Sequence, residues 1–322
     1  MLAIQATAAG GPEVLEAVEI ETPTPGPGQI RVRNAAIGLN FIDTYQRSGL
    51  YPMRFPAVLG QEAAGAVDAV GEGVTRFKAG DRVAYSGQLG AYAEYQVLGA
   101  DRAVGLPDSV SFETAAASLL KGMTTEFLVR RCYPVQPGDT VLVHAAAGGV
   151  GTLLVQWAKA LGAEVIGTVG SDQKAALARR LGCDQVIFYR HEDIAARVRE
   201  ITGGAGVPVA YDSVGKDTFE ATLKSLARRG VFVSFGNSSG PAPAFEPLRL
   251  MRAGSAFFTR PTLYDYIATT AELDESSGAL FAMIGSGKLR VEIGQRFKLA
   301  NARAAHEALE SRETIGASVL LP

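Results

Sequence analysis

Two glycines near the middle of the chain stand where a phosphate-binding turn needs them. Residues 141–152 read as a short apolar run, then Ala-Ala-Ala-Gly-Gly-Val-Gly, and a helical pattern follows. A helix N-terminus presents free backbone N–H groups and the positive end of the helix dipole, so it can hold a pyrophosphate. Gly148 would let the backbone approach the phosphates, and Gly151 would let the helix pack closely on its strand. This turn predicts dinucleotide binding.

The motif is a variant, because Ala146 stands where G-x-G-x-x-G has its first glycine. Turns rich in alanine and glycine also occur between a strand and a helix for packing reasons alone. The required context is present, however, since an apolar strand pattern precedes the turn and a second one, at residues 164–169, follows the helix. This context favours the dinucleotide site over a plain turn.

The end of the second predicted strand distinguishes the two nicotinamide dinucleotides. NAD enzymes of this kind usually carry Asp or Glu there to bond the ribose hydroxyls. This chain has Val169-Gly170-Ser171, with Asp172 slightly later. Lys174 would attract a 2′-phosphate, and the hydroxyl of Tyr189 would add a donor. We therefore expect NADPH; in the alternative, Lys174 is a solvated helix residue and Tyr189 a strand-end aromatic.

The potential metal ligands are scattered along the chain. A zinc site needs Cys and His ligands in suitable spacing, and no C-x-x-C pair is present. The sequence therefore predicts no metal. We expect His144 to be a structural histidine and the two cysteines to be buried or half-buried thiols in a reducing cytosol. The five residues concerned are His144, His191, His306, Cys132 and Cys183.

The composition indicates a soluble globular protein. A length of 322 residues predicts about two domains, and 47% hydrophobic with 20% charged residues is ordinary for that class. A net charge of −2 gives no electrostatic reason to expect nucleic acid or an anionic membrane surface. No apolar run is long enough to span a membrane, and no signal peptide is recognisable, so we expect a cytoplasmic protein.

The two parts of the chain have different element patterns. The first third, to about residue 119, predicts strands at residues 29–37, 63–70, 82–85 and 91–98, and a helix follows at 111–131. From residue 140 the pattern predicts strands at 140–144, 164–169, 185–188, 207–212, 230–235 and 255–258 with helices between them. Such βα repeats form a parallel sheet with helices on both faces and bind ligands at the carboxyl ends of the strands. We expect the last sixty or so residues to return to the first domain.

Five segments resemble the quinone oxidoreductase (zeta-crystallin) branch of the medium-chain dehydrogenase/reductases: residues 40–52, 144–151, 156–162, 211–215 and 234–240. The resemblance extends from about residue 34 to residue 322. It implies an α/β protein in which a β-rich GroES-like substrate domain, built from two chain segments, flanks a doubly wound Rossmann domain, with the active site in the cleft between them. The implied bounds are 1–120, 121–260 and 261–322.

The resemblance also accounts for the missing metal ligands. Zinc alcohol dehydrogenases of this superfamily have Cys where this chain has Asn40 and His where it has Gln61, and they carry a four-cysteine lobe that this chain lacks. The zinc-free branch lacks these ligands too. Gln61 departs from the relatives, which often carry Thr there, and this change could alter the pocket near the nicotinamide.

Residue roles follow from the resemblance by position. The phosphate side matches Gly170, Lys174 and Tyr189, in agreement with the argument from charge. The implied catalytic set is Asn40, Asp43, Tyr45, Tyr51 and Thr124. The implied cofactor-binding set is Phe41, Ile42, Gly148, Gly149, Val150, Gly170, Ser171, Lys174, Tyr189, Val214, Phe235, Gly236, Asn237, Ser238, Pro261, Leu263 and Arg312.

The expected reaction is metal-free hydride transfer from NADPH to a quinone. Reduction of a ketone needs a metal or a donor on the oxygen where negative charge develops, whereas a quinone delocalises that charge into its ring. The protein then positions the reactants and excludes water. Tyr45 and Tyr51 would stack on a flat substrate, or they are core aromatics. Asn40 or Asp43 would orient a hydroxyl or the nicotinamide ribose.

Two other functions are compatible with the sequence. The enzymatic alternative reduces activated C=C bonds in an enone, enal or enoyl thioester; the non-enzymatic alternative is a cofactor-binding structural or RNA-binding protein.

The apolar segment 255–259 comes last in the predicted sheet, and an exposed apolar edge strand can pair with another chain. Relatives pair this edge across a two-fold axis, which implies a homodimer; the alternative is a monomer whose edge is shielded by a helix near residues 247–251.

Overall fold

The computed structural model describes residues 1–322, which form two compact units. Unit 1 comprises Met1–Met123, Ile267–Ser286 and Val291–Pro322, and unit 2 comprises Thr124–Tyr266 and Gly287–Arg290. The predicted divisions after residues 120 and 260 lie a few residues before these bounds, and Gly287–Arg290, a short piece of the predicted return segment, lies in unit 2. No helix combines the length and the apolar character that crossing a membrane requires.

Unit 1 is built mainly from antiparallel strands. Its first elements are β1 (Leu2–Ala6), β2 (Leu15–Glu19), β3 (Gln29–Leu39), α1 (Phe41–Arg47), β4 (Ala57–Val58), β5 (Glu62–Val70), β6 (Arg82–Ser86), β7 (Tyr95–Gly99) and β8 (Ala103–Gly105), and β15 (Ile293–Lys298) and β16 (Ala317–Leu321) come from the end of the chain. The order in its larger sheet is β15-β16-β3-β5-β6-β8, with β7 also paired to β3, and a three-stranded sheet has the order β2-β1-β4. Helix α2 (Phe112–Phe127) follows and continues into unit 2.

Unit 2 is the predicted parallel α/β sheet. Its elements are β9 (Thr140–Val143), α3 (Gly149–Ala160), β10 (Glu164–Val169), α4 (Asp172–Arg180), β11 (Gln185–Phe188), α5 (Ile194–Ile201), β12 (Val207–Asp212), α6 (Phe219–Ser225), β13 (Leu226–Ser234), α7 (Leu248–Arg252), β14 (Phe257–Thr259) and α8 (Leu263–Tyr266). The strand order is β11-β10-β9-β12-β13-β14, and every neighbouring pair is parallel. Counted along this unit the order is 3-2-1-4-5-6, the Rossmann order, and the α/β fold class is confirmed.

The last part of the chain lies mainly in unit 1. Its elements are α9 (Thr270–Gly285), β15 (Ile293–Lys298), α10 (Ala302–Glu310) and β16 (Ala317–Leu321). Strand β16 pairs antiparallel with β3, so the C-terminal strand completes the sheet that the N-terminal segment began.

Two sequence expectations need correction. The strand predicted at residues 91–98 begins only at Tyr95, because Gly90 turns the chain with a φ of 113° and Tyr92 bonds instead to the backbone of Leu59 and Ile4. The helix predicted at 111–131 is α-helical only to Phe127 and ends in a wider π-helical turn. Strands β1, β2, β4, β8 and β16 and helix α1 had no sequence prediction.

Candidate functional site

The carboxyl edge of the parallel sheet in unit 2 collects most of the predicted cofactor residues. This follows from the strand order, because a loop leaves the same edge after each parallel strand. The residues placed there are Gly148, Gly149 and Val150 after β9, Gly170 and Ser171 after β10, Tyr189 after β11, Val214 after β12, Phe235, Gly236, Asn237 and Ser238 after β13, and Pro261 and Leu263 after β14. Lys174 lies in the first turn of α4.

The glycine turn after β9 is shaped by close backbone packing. A Cβ on Gly151 would overlap the carbonyl oxygen of Ala145 and come within 2.9 Å of the Cα of Ala146. Gly148 is the extended N-cap of α3, where it offers no side chain to the first N–H groups of the helix. Ala145 has a φ of 52°, and its N–H donates to Thr168 Oγ1 at 3.3 Å. A helix start with uncapped donors and closely approaching backbone fits a pyrophosphate.

The residues predicted to select the 2′-phosphate lie together at the ends of β10 and β11. A Cβ on Gly170 would lie 2.5 Å from the hydroxyl of Tyr189, so the phenol covers this glycine. Ser171 caps α4 by accepting a hydrogen bond from the backbone N–H of Lys174 at 3.4 Å. The strand tip carries no carboxylate, and Asp172 is exposed as the first residue of α4. These donors and this cation fit a phosphate monoester better than ribose hydroxyls.

A buried polar network adjoins the glycine turn at His144. Asp212, at the end of β12, accepts from the N–H groups of Val214 (2.7 Å) and Gly215 (3.0 Å) and from the hydroxyl of Thr222 (3.1 Å). Thr222 also contacts His144 Nε2 at 2.9 Å. Burial lowers the pKa of His144, which is therefore a neutral, hydrogen-bonded residue of the kind the sequence predicts.

The loops after β12 and β13 are bonded to each other. The N–H of Ser238 donates to the carbonyl of Ser213 at 3.2 Å, and a Cβ on Gly236 would lie 2.5 Å from the same oxygen. Asn237 accepts from Arg260 when its amide is oriented to suit its neighbours, at 3.2 Å. These contacts give the predicted nicotinamide-side residues a fixed backbone.

In unit 1 the predicted residues of the catalytic group begin helix α1. Asn40 is the N-cap, and its side-chain amide donates to Glu62 Oε2 at 2.8 Å. The same oxygen accepts from Lys121 Nζ at 3.1 Å, while Glu62 Oε1 accepts from the N–H of Leu120 at 2.6 Å. A buried ion pair thus orients the Asn40 amide. Phe41 and Ile42 follow in the first turn of the helix.

Asp43 is a fully buried carboxyl with an incomplete set of hydrogen bonds. Its Oδ2 accepts from the N–H of Asn40 and from the hydroxyl of Tyr92, both at 2.9 Å, whereas its Oδ1 is buried without a partner. Burial raises the pKa of Asp43 to about 7, and the two donated hydrogen bonds only partly offset that rise. The carboxyl therefore titrates near neutrality.

The two predicted aromatic residues pack on each other. The rings of Tyr45 and Tyr51 meet edge to face with centroids 5.4 Å apart, and Phe41 lies 6.2 Å from Tyr45. Tyr45 is buried, and Tyr51 is partly exposed. Within unit 1, Tyr51 therefore presents more surface to a ligand than Tyr45 does.

Three further predicted residues lie outside these groups. Thr124 is buried in α2, where it is the first residue of unit 2. Arg312 follows the end of α10 in unit 1 with a φ of 60°. Gln61 is buried beside Glu62.

Sequence reasoning missed four residues that support Asn40 and Asp43: Glu62, Lys121, Tyr92 and His306. The sequence held one signal for them. Lys121 is the single charge within the run Ala-Ala-Ala-Ser-Leu-Leu-Lys-Gly-Met, and a charge on a buried helix face needs a partner. Its partner Glu62 lies 59 residues away, so no local pattern identifies it.

The histidines, cysteines and acids do not gather into a metal site. No group of three or more such side chains is placed to hold a metal ion. Cys132 and Cys183 are both free, and burial raises the pKa of the Cys183 thiol to about 12. Both cysteines are the structural thiols that the sequence predicts.

Comparisons with known proteins agree on one family. Residues 26–108 match the model of the alcohol dehydrogenase GroES-like domain, and residues 149–276 match the zinc-binding dehydrogenase model. The quinone oxidoreductase of Pseudomonas aeruginosa is 54% identical over 99% of both chains, and a 2-haloacrylate reductase of Burkholderia is 44% identical over 97% of this chain and 96% of its own.

A solved structure supports the same family. Escherichia coli quinone oxidoreductase complexed with NADPH superposes with a TM-score of 0.98 at 52% identity over the whole of both chains. Whole-length identity above one half, the two matched domain models and the shared fold leave a single assignment. The chain belongs to the quinone oxidoreductase branch of the medium-chain dehydrogenase/reductase superfamily.

Proposed function

We propose that this enzyme reduces quinones with NADPH. The observation that supports the cofactor is the tip of β10, where Tyr189 covers Gly170, Lys174 lies in the first turn of the helix that follows, and the strand tip carries no carboxylate. The observation that supports the substrate class is whole-length similarity to quinone oxidoreductases.

Different segments of the chain would bind different parts of the cofactor and the substrate. NADPH, when bound, supplies the hydride. The glycine turn holds the pyrophosphate at the start of α3, and the loop around Gly236 holds the nicotinamide end in one orientation. In unit 1, the Glu62–Lys121 pair orients the Asn40 amide, which is a polar contact for the reactants. Correct placement alone can lower a reaction barrier by several kcal/mol.

The experiment that tests this function is NADPH oxidation with a panel of acceptors. We expect turnover with 1,4-benzoquinone and a naphthoquinone and little with an aldehyde, whose reduction needs stabilisation of a localised oxyanion. Absence of turnover with every quinone would refute the proposal.

A second substrate class is favoured by one finding. The 2-haloacrylate reductase covers the chain at 44% identity, and its name denotes an activated C=C bond. The same panel should therefore include a 2-haloacrylate, an enone and an enoyl-CoA. If kcat/KM for one of them exceeds that for the quinones, the C=C reductase is the better assignment.

Cofactor choice gives the first testable prediction. Replacing both Lys174 and Tyr189 by alanine should weaken NADPH binding by about tenfold or more and leave NADH binding nearly unchanged. One charge-assisted hydrogen bond is worth about 1.5–3 kcal/mol, and only NADPH has the phosphate that receives it. Fluorescence titration measures both affinities, with Lys224→Ala, an exposed lysine of α6, as the control. Equal losses for both cofactors would refute the phosphate assignment.

We also propose that the edge strand β14 joins two chains into a homodimer. β14 pairs only with β13, and Phe257 is 56% exposed although α7 lies just before it. That helix therefore leaves the edge open for pairing.

Phe257→Pro tests this assembly. Proline removes a ladder N–H, so the variant should dissociate at micromolar concentration while unit 2 stays folded. Light scattering measures the mass, and Leu89→Ala, an exposed apolar residue of unit 1, is the control. A wild-type mass of one chain would contradict the dimer.

A further inference from the structure

A buried hydrogen-bonded chain joins three distant segments of unit 1. Arg47 Nη1 lies 2.8 Å from His306 Nδ1, and Tyr92 Oη lies 3.0 Å from His306 Nε2. Tyr92 Oη in turn lies 2.9 Å from Asp43 Oδ2. All four side chains are almost completely buried, so water does not compete for these bonds.

The chemistry of the groups fixes the direction of every bond. Arginine only donates, so His306 Nδ1 must accept, and the ring proton must sit on Nε2. His306 Nε2–H then donates to the Tyr92 oxygen, and Tyr92 has its own proton free for Asp43. Burial, together with the charge of Arg47, lowers the pKa of His306 to about 3, in accord with a neutral ring. The direction runs from Arg47 through His306 and Tyr92 to Asp43.

The two ends of this chain lie at predicted cofactor segments. Asp43 Oδ2 also accepts from the N–H of Asn40 and so closes the first turn of α1. At the other end, Arg47 Nη2 bonds Glu310 Oε1 at 2.7 Å, in the last turn of α10 and two residues before Arg312. A continuous series of hydrogen bonds therefore connects α10 to the N–H of Asn40.

We propose that Tyr92 and His306 are positioning residues for the reductase reaction: they hold Asp43, and through it the N-terminus of α1, in the orientation that the bound reactants require. This inference rests on the proposed function, because its kinetic test measures quinone reduction by NADPH. Neither residue is assigned contact with a reactant. Their effect is exerted through Asp43 and Asn40.

The groups around Asp43 define the pH behaviour of this device. The charges of Lys121 on α2 and Glu62 on β5 act on Asp43, and Tyr92, which contacts His306, donates a hydrogen bond to it. Removal of the Tyr92 hydroxyl takes away a donor that stabilises the carboxylate, so the pKa of Asp43 should rise further.

Tyr92→Phe is the test, and Tyr85→Phe is its matched control. Tyr85 is equally buried in the same unit and also donates one hydrogen bond, to Asn34 Oδ1 at 3.0 Å, but it does not contact Asp43. We expect Tyr92→Phe to lower kcat/KM for NADPH and quinone by about tenfold and to move its pH midpoint upward. Tyr85→Phe should change neither.

Variants of His306 provide a rescue. Glutamine can accept from Arg47 through its oxygen and donate to Tyr92 through its nitrogen, whereas leucine can do neither. His306→Gln should therefore retain most of the wild-type kcat/KM, and His306→Leu should lose about as much as Tyr92→Phe. If Tyr92→Phe keeps the wild-type rate and pH profile, the proposal is wrong.

A readout without turnover separates this inference from the proposed function. Carboxyl ¹³C NMR of Asp43 in the intact protein should titrate at higher pH in Tyr92→Phe than in wild type or Tyr85→Phe. A shift in this titration without any quinone turnover by wild type would refute the function and leave the chain of bonds intact. An unchanged titration would overturn the inference even if the enzyme is active.

Discussion

Replacing Gly151 by alanine should unfold the glycine turn and cost about 3 kcal/mol or more of stability. The added Cβ would meet backbone atoms of Ala145 and Ala146, which belong to the strand-to-helix connection itself and cannot rotate away. Helix α3 would have to move off β9, and the backbone donors for the pyrophosphate would move with it. NADPH affinity should fall by at least about tenfold.

Urea unfolding and fluorescence titration with NADPH measure these two effects. Gly278→Ala is the matched control, because Gly278 lies inside α9 with open space where its Cβ would be. Alanine is favoured over glycine in a helix by roughly 0.5–1 kcal/mol, so the control should be slightly stabilised. A Gly151→Ala protein with the wild-type urea midpoint would show that the turn does not depend on this close approach.

The pH dependence of stability should reveal the buried Asp43 carboxyl. Its pKa is about 7 in the folded protein and about 3.8 when the chain is unfolded, so the folded state binds the extra proton between these values. The Asp43 contribution to the free energy of unfolding therefore falls as pH rises from about 4 to about 7. At about 1.4 kcal/mol per pKa unit, Asp43 lowers the free energy of unfolding by roughly 4 kcal/mol once the pH is above about 7.

His306 gives the pH dependence of stability the opposite sign. Its pKa falls from 6.5 to about 3 on folding, so its contribution to stability is complete above about pH 6.5 and is lost as pH falls toward 3. The two slopes partly cancel in wild type between about pH 4 and pH 6.5. A comparison with Asp43→Asn, which cannot titrate, isolates the carboxyl.

Urea unfolding of wild type and Asp43→Asn from pH 4.5 to pH 8 tests this account. The stability of the variant relative to wild type should increase steadily with pH and level off above about pH 7. His306→Gln should show the mirror image, gaining on wild type as the solution becomes acidic. Curves that run parallel at every pH would mean that neither group changes its protonation on folding.

The sequence alone determined the features that depend on neighbours along the chain. Three such features are the glycine turn, the alternation of strands and helices after residue 140, and the absence of a carboxylate at the tip of β10. Such patterns arise from backbone geometry and the period of apolar residues, which act locally. They were sufficient for the Rossmann unit and for the NADPH hypothesis.

Only the tertiary structure decided which distant residues meet. The fold bonds Arg47 to His306 across 259 positions and Asn40 to Glu62 across 22, and no local pattern in the sequence marks these pairs. Their positions depend on sheet order and on the return of the C-terminal segment to unit 1. Because burial sets the pKa of Asp43 near 7, its chemistry too exists only once the fold has removed water from around it.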